Sequence, residues 1–331
     1  MFLGRLNSVA GGSKRLLKRW RDNYYLSQLL AFSTMPLHFL SSQVARHIER
    51  KVRKNAVTIR LPNDKEMSIG RDSGIGIASL LFWHGLDGFE PETSRTLRFL
   101  FERASTFVDV GANCGFYSVL AALWNPTLFV RAFEPVPSIF EGLKRNVRLN
   151  KLESRICCEN LALSRETGRA TFFLPTAEGL DIETTGTLAA DSWQARQGAV
   201  RMEVETVRFD EYETCHRMRV DLIKIDVEDF EADVLEGMRA VITRDRPFIV
   251  CEVLPRVHRN KRTLDIVESL NYQAYWITSA GYIRVPKFDF ARHIHTDFVL
   301  SPVSTNDIVL DHLGVLWDLK IASKQVLETS V

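Results

Sequence analysis

The chain has 331 residues, of which 45% are hydrophobic, 25% charged and 10% aromatic, which suits a full buried core and excludes a disordered or low-complexity chain. The formal net charge of +2 describes neither a nucleic-acid-binding protein nor an acidic tail, but residues 1–60 carry twelve Lys/Arg against Asp22 and Glu49, so a head of +10 precedes a body of −8. Five cysteines (Cys114, Cys157, Cys158, Cys215, Cys251), with no CxxC pair and none clustered with histidine, argue for a reducing compartment and against a disulfide framework or a structural zinc site.

Leu16, Leu17, Trp20 and Tyr24 recur at helical spacing among Lys14, Arg15, Lys18, Arg19 and Arg21, which predicts a basic amphipathic helix. Such a helix either docks its apolar stripe on the main domain, the favoured reading because charge runs usually form solvated faces, or rests peripherally on an anionic membrane. The stretch Leu26–Leu40 is interrupted by Gln28, Pro36 and His38 and is too short and polar to span a bilayer, and Lys14–Arg21 falls where a secretory signal needs apolar residues. A cytoplasmic protein is expected.

Val57, Ile59 and Leu61 alternate before Pro62-Asn63-Asp64, with Met67 and Ile69 beyond, which reads as a hairpin. Glycines at 74, 76, 85 and 88 mark loops around Ile77–Phe82, and Glu92–Arg103 presents Leu97, Leu100 and Phe101 on one helical face.

Thr106–Val110 is a short apolar run that stops at Gly111-Ala-Asn-Cys-Gly115, after which Phe116, Val119, Leu120 and Leu123 recur as a helix face. Strand, glycine turn and helix in this order open a doubly wound α/β unit. A second strand, Leu128–Phe133, ends in Glu134, 19 residues after Gly115 and able to accept hydrogen bonds from a ribose diol. Gly111 and Gly115 let backbone approach a ligand, and the loop amides suit a carboxylate. A dinucleotide's pyrophosphate needs glycine where Asn113 stands, whereas S-adenosylmethionine carries no phosphate and offers an ammonium for Asp109.

Asp109 to Ser118, Phe133-Glu-Pro-Val-Pro137 with Phe140, Leu143, Asn146 and Asn150, and Ile223-Lys-Ile-Asp-Val-Glu228 through Glu231, Val234, Leu235, Glu236 and Gly237, together resemble the FkbM-type methyltransferases, in matching order over about residues 75–300. The resemblance implies an α/β Rossmann-like class I methyltransferase fold: a mostly parallel sheet, helices on both faces and an antiparallel C-terminal strand, here with a basic helical N-terminal extension. It implies an S-adenosyl-L-methionine donor and methylation of a hydroxyl on a sugar, glycan or secondary-metabolite acceptor, and it sets Asn160 beside the adenine, although Asn160 could equally serve only its turn. The chain departs from the family at Asp229, where glycine is common.

Ile156–Glu159 reads as a third strand, and Ala170–Leu174 with Glu203–Val207 as an added pair of strands around the polar segment 175–202, a candidate lid. Leu222–Asp226 is an apolar strand whose Lys224 and Asp226 face the same side, a costly arrangement unless both have partners. Phe248–Glu252 ends in another acid, and Tyr272–Thr278 and His295–Leu300 close the sheet. Asp226 or Glu252 could orient the acceptor hydroxyl or act as base, Lys224 could steady a carboxylate or developing alkoxide, and His258 is a weaker candidate. Metal assistance by Asp226 and Glu252 ranks lower, since no denser carboxylate cluster accompanies them.

The expected organisation is an extension over 1–55, a methyltransferase domain over 56–310 and a tail over 311–331. A nicotinamide-dependent oxidoreductase and an inactive binding protein of the same fold are the alternatives. No nucleic-acid partner is expected.

Overall fold

A computed structural model describes residues 55–70, 75–174, 187–189, 200–216, 218–253, 257–279, 281–285, 297–302 and 315–318. The basic head, the tail and most of the polar segment 175–202 lie outside the described residues, as do His293, His295 and the side chain of His258. The chain divides between Phe89 and Glu90 into two compact units.

In the first unit, β1 (Ala56–Arg60) and β2 (Glu66–Gly70) form the expected antiparallel hairpin, with Val57 opposite Ile69 and Ile59 opposite Met67. Alternation buries these four residues on one face, and the turn closes through Asp64 in a left-handed conformation at φ 65°. The helix α1 (Ile75–His84) packs on this hairpin.

The second unit starts with α2 (Pro91–Phe101), β3 (Thr106–Val110), α3 (Phe116–Trp124), β4 (Phe129–Phe133), α4 (Pro137–Leu149) and β5 (Ile156–Glu159). A side sheet follows, formed by β6 (Ala162–Ser164), β7 (Gly168–Leu174) and β8 (Val200–Arg208), in the order β6-β8-β7. Then come α5 (Phe209–His216), β9 (Leu222–Ile225), α6 (Glu231–Gly237), α7 (Arg239–Asp245), β10 (Phe248–Glu252) and α8 (Val257–Ser269). Four strands finish the described chain: β11 (Tyr272–Thr278), β12 (Gly281–Val285), β13 (Asp297–Pro302) and β14 (Val315–Asp318).

The main sheet runs β14-β12-β11-β13-β10-β9-β3-β4-β5. From β5 to β10 every pairing is parallel, and β13 then enters antiparallel between β10 and β11. The parallel strands read as continuous apolar runs because both of their faces are covered. Val108, Val110, Ile223 and Ile225 point to one face, where they form a buried cluster with Val234, Leu235, Val241 and Ile242 of α6 and α7. The alternate residues Asp109 and Lys224 therefore point to the opposite face, the side on which Asp109 meets Ser118 of α3. The fold is the expected Rossmann-like α/β architecture with helices on both faces. The antiparallel C-terminal set is larger than expected, because Gly281–Val285, which reads as a connection in the sequence, is itself a strand paired to β11.

Candidate active site

Apolar strands of matched length align their carboxyl ends, and the crevice of an open parallel sheet lies there. Val110 ends β3, Phe133 ends β4, Ile225 ends β9 and Glu252 ends β10, so the glycine loop, Glu134, Asp226 and Glu252 share one edge.

Packing gives each loop glycine a reason. Gly111 has φ +76°, and a β-carbon on it would lie 2.0 Å from the Asp226 carbonyl oxygen. Gly115 has φ +84°, and its β-carbon would lie 2.4 Å from the Leu143 side chain. Asn146 of α4 donates to the Cys114 carbonyl at 2.7 Å, so α4 clamps the loop from the same side. Asn113, also left-handed at φ 52°, accepts the Cys114 amide through its own side chain at 2.6 Å.

The loop amides expected to suit a ligand carboxylate have partners within the chain. The amides of Gly111 and Ala112 donate to the Phe133 carbonyl, that of Gly115 to Ala112, and that of Asn113 to the Glu134 carboxyl at 3.0 Å. The second Glu134 oxygen accepts the Val136 amide at 2.9 Å. Burial pushes the Glu134 carboxyl up to about 7, against the pull of those two amides. Asn160 turns its side-chain amide to the carbonyls of Glu134 and Pro135 at 2.8 and 2.9 Å, and so fixes the turn that carries the acid.

Lys224 and Asp226 meet as their alternate spacing requires, Nζ to Oδ2 at 2.7 Å, with Lys224 buried and Asp226 partly open. The Lys224 ammonium also lies 4.8 Å from the centre of the Tyr117 ring. Burial alone would lower the lysine pKa, but the charges of Asp226, Glu90 and Asp109 outweigh it and hold it above its ordinary value. Asp226 is pushed up by burial and pulled further down by Lys224 and by a hydrogen bond with Glu252, so it stays below the usual carboxylate range. Glu252 takes the opposite course: burial first, then the Asp226 charge and their shared hydrogen bond, push it up to about 11. Two acids at neighbouring strand ends thus divide into one carboxylate and one carboxylic acid.

Asp109 is buried to 1% exposure and accepts the Ser118 hydroxyl at 2.6 Å. It anchors the first turns of α3 and raises the lysine pKa from behind. Asp229 has φ 74° and Glu228 φ 50°. The Asp229 amide donates to the buried Glu231 carboxyl at 3.0 Å. The position where the family commonly has glycine is therefore a left-handed one, and aspartate occupies it.

Three participants are not evident from the sequence. Glu90, at φ 39° and ψ 64° before Pro91, accepts the Tyr117 hydroxyl at 2.6 Å. Asp297 of β13 stands opposite Glu252 in register and accepts the Thr93 hydroxyl at 2.9 Å. Thr187, from the polar segment, donates to the Glu228 carbonyl and pairs its backbone with Phe173. The only available signal for Glu90 was Pro91, which marks a helix start. Among the described residues no group of three or more His, Cys, Asp or Glu side chains is arranged to hold a metal ion, and no helix is long and apolar enough to cross a membrane.

A parallel sheet with an antiparallel strand inserted beside β10, a glycine turn after β3 and an acid at the end of β4 define the class I methyltransferase fold. Residues 109–282 match the Methyltransferase FkbM domain, and the chain belongs to that family. It is 32% identical over 153 residues to Methyltransferase sdnD of Sordaria araneosa, covering 40% of this chain and 59% of the relative. It is 39% identical over 67 residues to 31-O-demethyl-FK506 methyltransferase FkbM of Streptomyces tacrolimicus, covering 20% and 25%. The chain therefore spans less than two thirds of these curated relatives. The crystal structure of Methyltransferase FkbM from Methylobacillus flagellatus superposes with a TM-score of 0.40 at 17% identity, over 70% of this chain and 56% of that one.

Proposed function

We propose that the protein transfers the methyl group of S-adenosyl-L-methionine to a hydroxyl of a sugar, glycan or secondary-metabolite acceptor. The observation that carries this reading is the Lys224–Asp226 pair at 2.7 Å, set beside the glycine turn inside the family-matched segment. The residues suit this donor: an acid-lined crevice favours a cationic ligand, and the Glu134 carboxyl at the end of β4 can accept from ribose hydroxyls. They suit a dinucleotide poorly, because a pyrophosphate would meet engaged loop amides and carboxylates, which weighs against the nicotinamide alternative. The Streptomyces tacrolimicus relative is named for methylating 31-O-demethyl-FK506, which supports oxygen as the acceptor atom.

The bound donor would supply an electrophilic methyl on a positively charged sulfur. Asp226, ionised and a weak base, would accept the hydrogen bond of the acceptor hydroxyl and so align the oxygen lone pair. It would take the proton as the oxygen gains positive character on alkylation. Lys224 would hold the Asp226 carboxylate in place. Glu252, protonated, would donate to Asp226 and keep its second oxygen oriented.

Incubating the full chain with methyl-labelled S-adenosylmethionine and a panel of polyhydroxylated acceptors tests the assignment by mass spectrometry. A product labelled on oxygen supports it. Transfer to nitrogen or carbon, or none across a panel that includes cell extract, removes it.

A further inference from the structure

We propose that Glu90 reads the positive charge on the donor's sulfur, so that the site distinguishes S-adenosylmethionine from its demethylated product. The inference rests on the methyl-donor reading and adds a residue that reading does not use. Glu90 is the N-cap of α2, a place where a short polar side chain ordinarily accepts its own helix's amides. Here it makes no such cap. Its backbone is left-handed, a conformation costing a non-glycine residue about 1–2 kcal/mol, and the carboxyl instead accepts the Tyr117 hydroxyl at 2.6 Å. Tyr117 lies in the first turn after the glycine loop, and the Lys224 ammonium sits over its ring at 4.8 Å. The left-handed turn at the helix start thus holds the Glu90 carboxyl against Tyr117, the residue whose ring carries the Lys224 ammonium at the carboxyl-end edge of the sheet.

Among the described residues, the charged groups that act on Glu90 include Lys224 and Asp226 from β9 and its end and Asp297 from β13, with the Tyr117 phenol from α3. Lys224 is the one cation among them and is already bonded to Asp226. Glu90 thus shares the one cation of this group with Asp226, and a cationic ligand would complement it. Burial, opposed by Lys224 and aided by Asp226 and Asp297, pushes the carboxyl up to about 7. Below that pH it is neutral and indifferent to the sulfur's charge; above it the carboxylate favours the donor. The ammonium and ribose are common to donor and product, so a contribution from Glu134 cancels in the ratio of their affinities.

Calorimetric titration of the full chain with S-adenosylmethionine and S-adenosylhomocysteine between about pH 5.5 and 8 reads this ratio. The dissociation constant of the product divided by that of the donor should rise roughly tenfold across a midpoint near 7, each tenfold corresponding to one pKa unit of coupling. Glu90→Gln should flatten the rise. Tyr117→Phe removes a hydrogen bond that favours the charged carboxyl, so it should keep the rise and move its midpoint upward. A flat ratio in the wild type with both ligands bound, or a rise that survives in Glu90→Gln, overturns the proposal and leaves the donor reading standing. Should Glu90→Gln fail to fold, an unmoved midpoint in Tyr117→Phe overturns it equally. Binding of neither ligand removes the donor reading and this inference with it.

Discussion

The Lys224 ammonium lies 2.7 Å from the Asp226 carboxylate, at 5% and 28% side-chain exposure. A parallel strand covered on both faces normally excludes charge, and here one cation sits among several carboxyls that need it. Removing one partner of such a pair leaves an uncompensated buried charge and costs about 3–5 kcal/mol. Lys224→Met should therefore lower unfolding stability by about that amount in urea, with the larger share coming from Asp226. A loss under about 1 kcal/mol would mean that water already screens the pair.

Asp226 and Glu252 differ in ionisation, so their amide variants should differ in effect. Asp226→Asn removes the carboxylate, and turnover should fall about a hundredfold while S-adenosylhomocysteine affinity changes little. Glu252→Gln replaces a protonated acid with another neutral hydrogen-bond donor, and turnover should fall by less than about tenfold. Steady-state kinetics with an acceptor found by panel screening compares the two. An equal loss in both would contradict the division into carboxylate and acid.

Glu231 lies outside the pair and gives a separate test of burial. Burial pushes its carboxyl from 4.5 up to about 8, with the Asp229 charge adding and backbone amides opposing. The folded state therefore holds the proton more tightly than the unfolded chain. Its contribution is fully present below the unfolded value of 4.5 and is lost as pH rises through about 8. Unfolding free energy should fall by a few kcal/mol across that window, and Glu231→Gln should flatten part of the fall in denaturation curves taken at intervals of pH. An unchanged slope in the variant would assign the dependence to other groups.

Much of the fold was legible because its strands are short apolar runs with clear stops. Thr106–Val110, Ile156–Glu159, Phe248–Glu252 and Tyr272–Thr278 are read within the same bounds in sequence and structure. Gly281–Val285 was hidden because Ala280-Gly281 and Pro286 mark it as a connection, and only pairing with β11 makes it a strand. The helix Phe209–His216 was missed because it follows β8 without a break.

Within the site, local spacing revealed Lys224 and Asp226, since two residues of one strand two positions apart share a face. Glu90 and Asp297 were not legible, because their partners Tyr117 and Thr93 come from distant segments. Gly111 and Gly115 were found for a partial reason. They sit where a turn must approach, but what approaches is the Asp226 carbonyl and the Leu143 side chain.

Calorimetric titration of the full chain with S-adenosylhomocysteine, and separately with NADH, tests the central claim most directly. An acid-lined crevice with its loop amides engaged should bind the sulfur nucleoside with micromolar affinity and NADH not at all, and Gly111→Arg should abolish the binding by driving a side chain into the Asp226 carbonyl. Binding of NADH alone, or of neither ligand, would contradict the account.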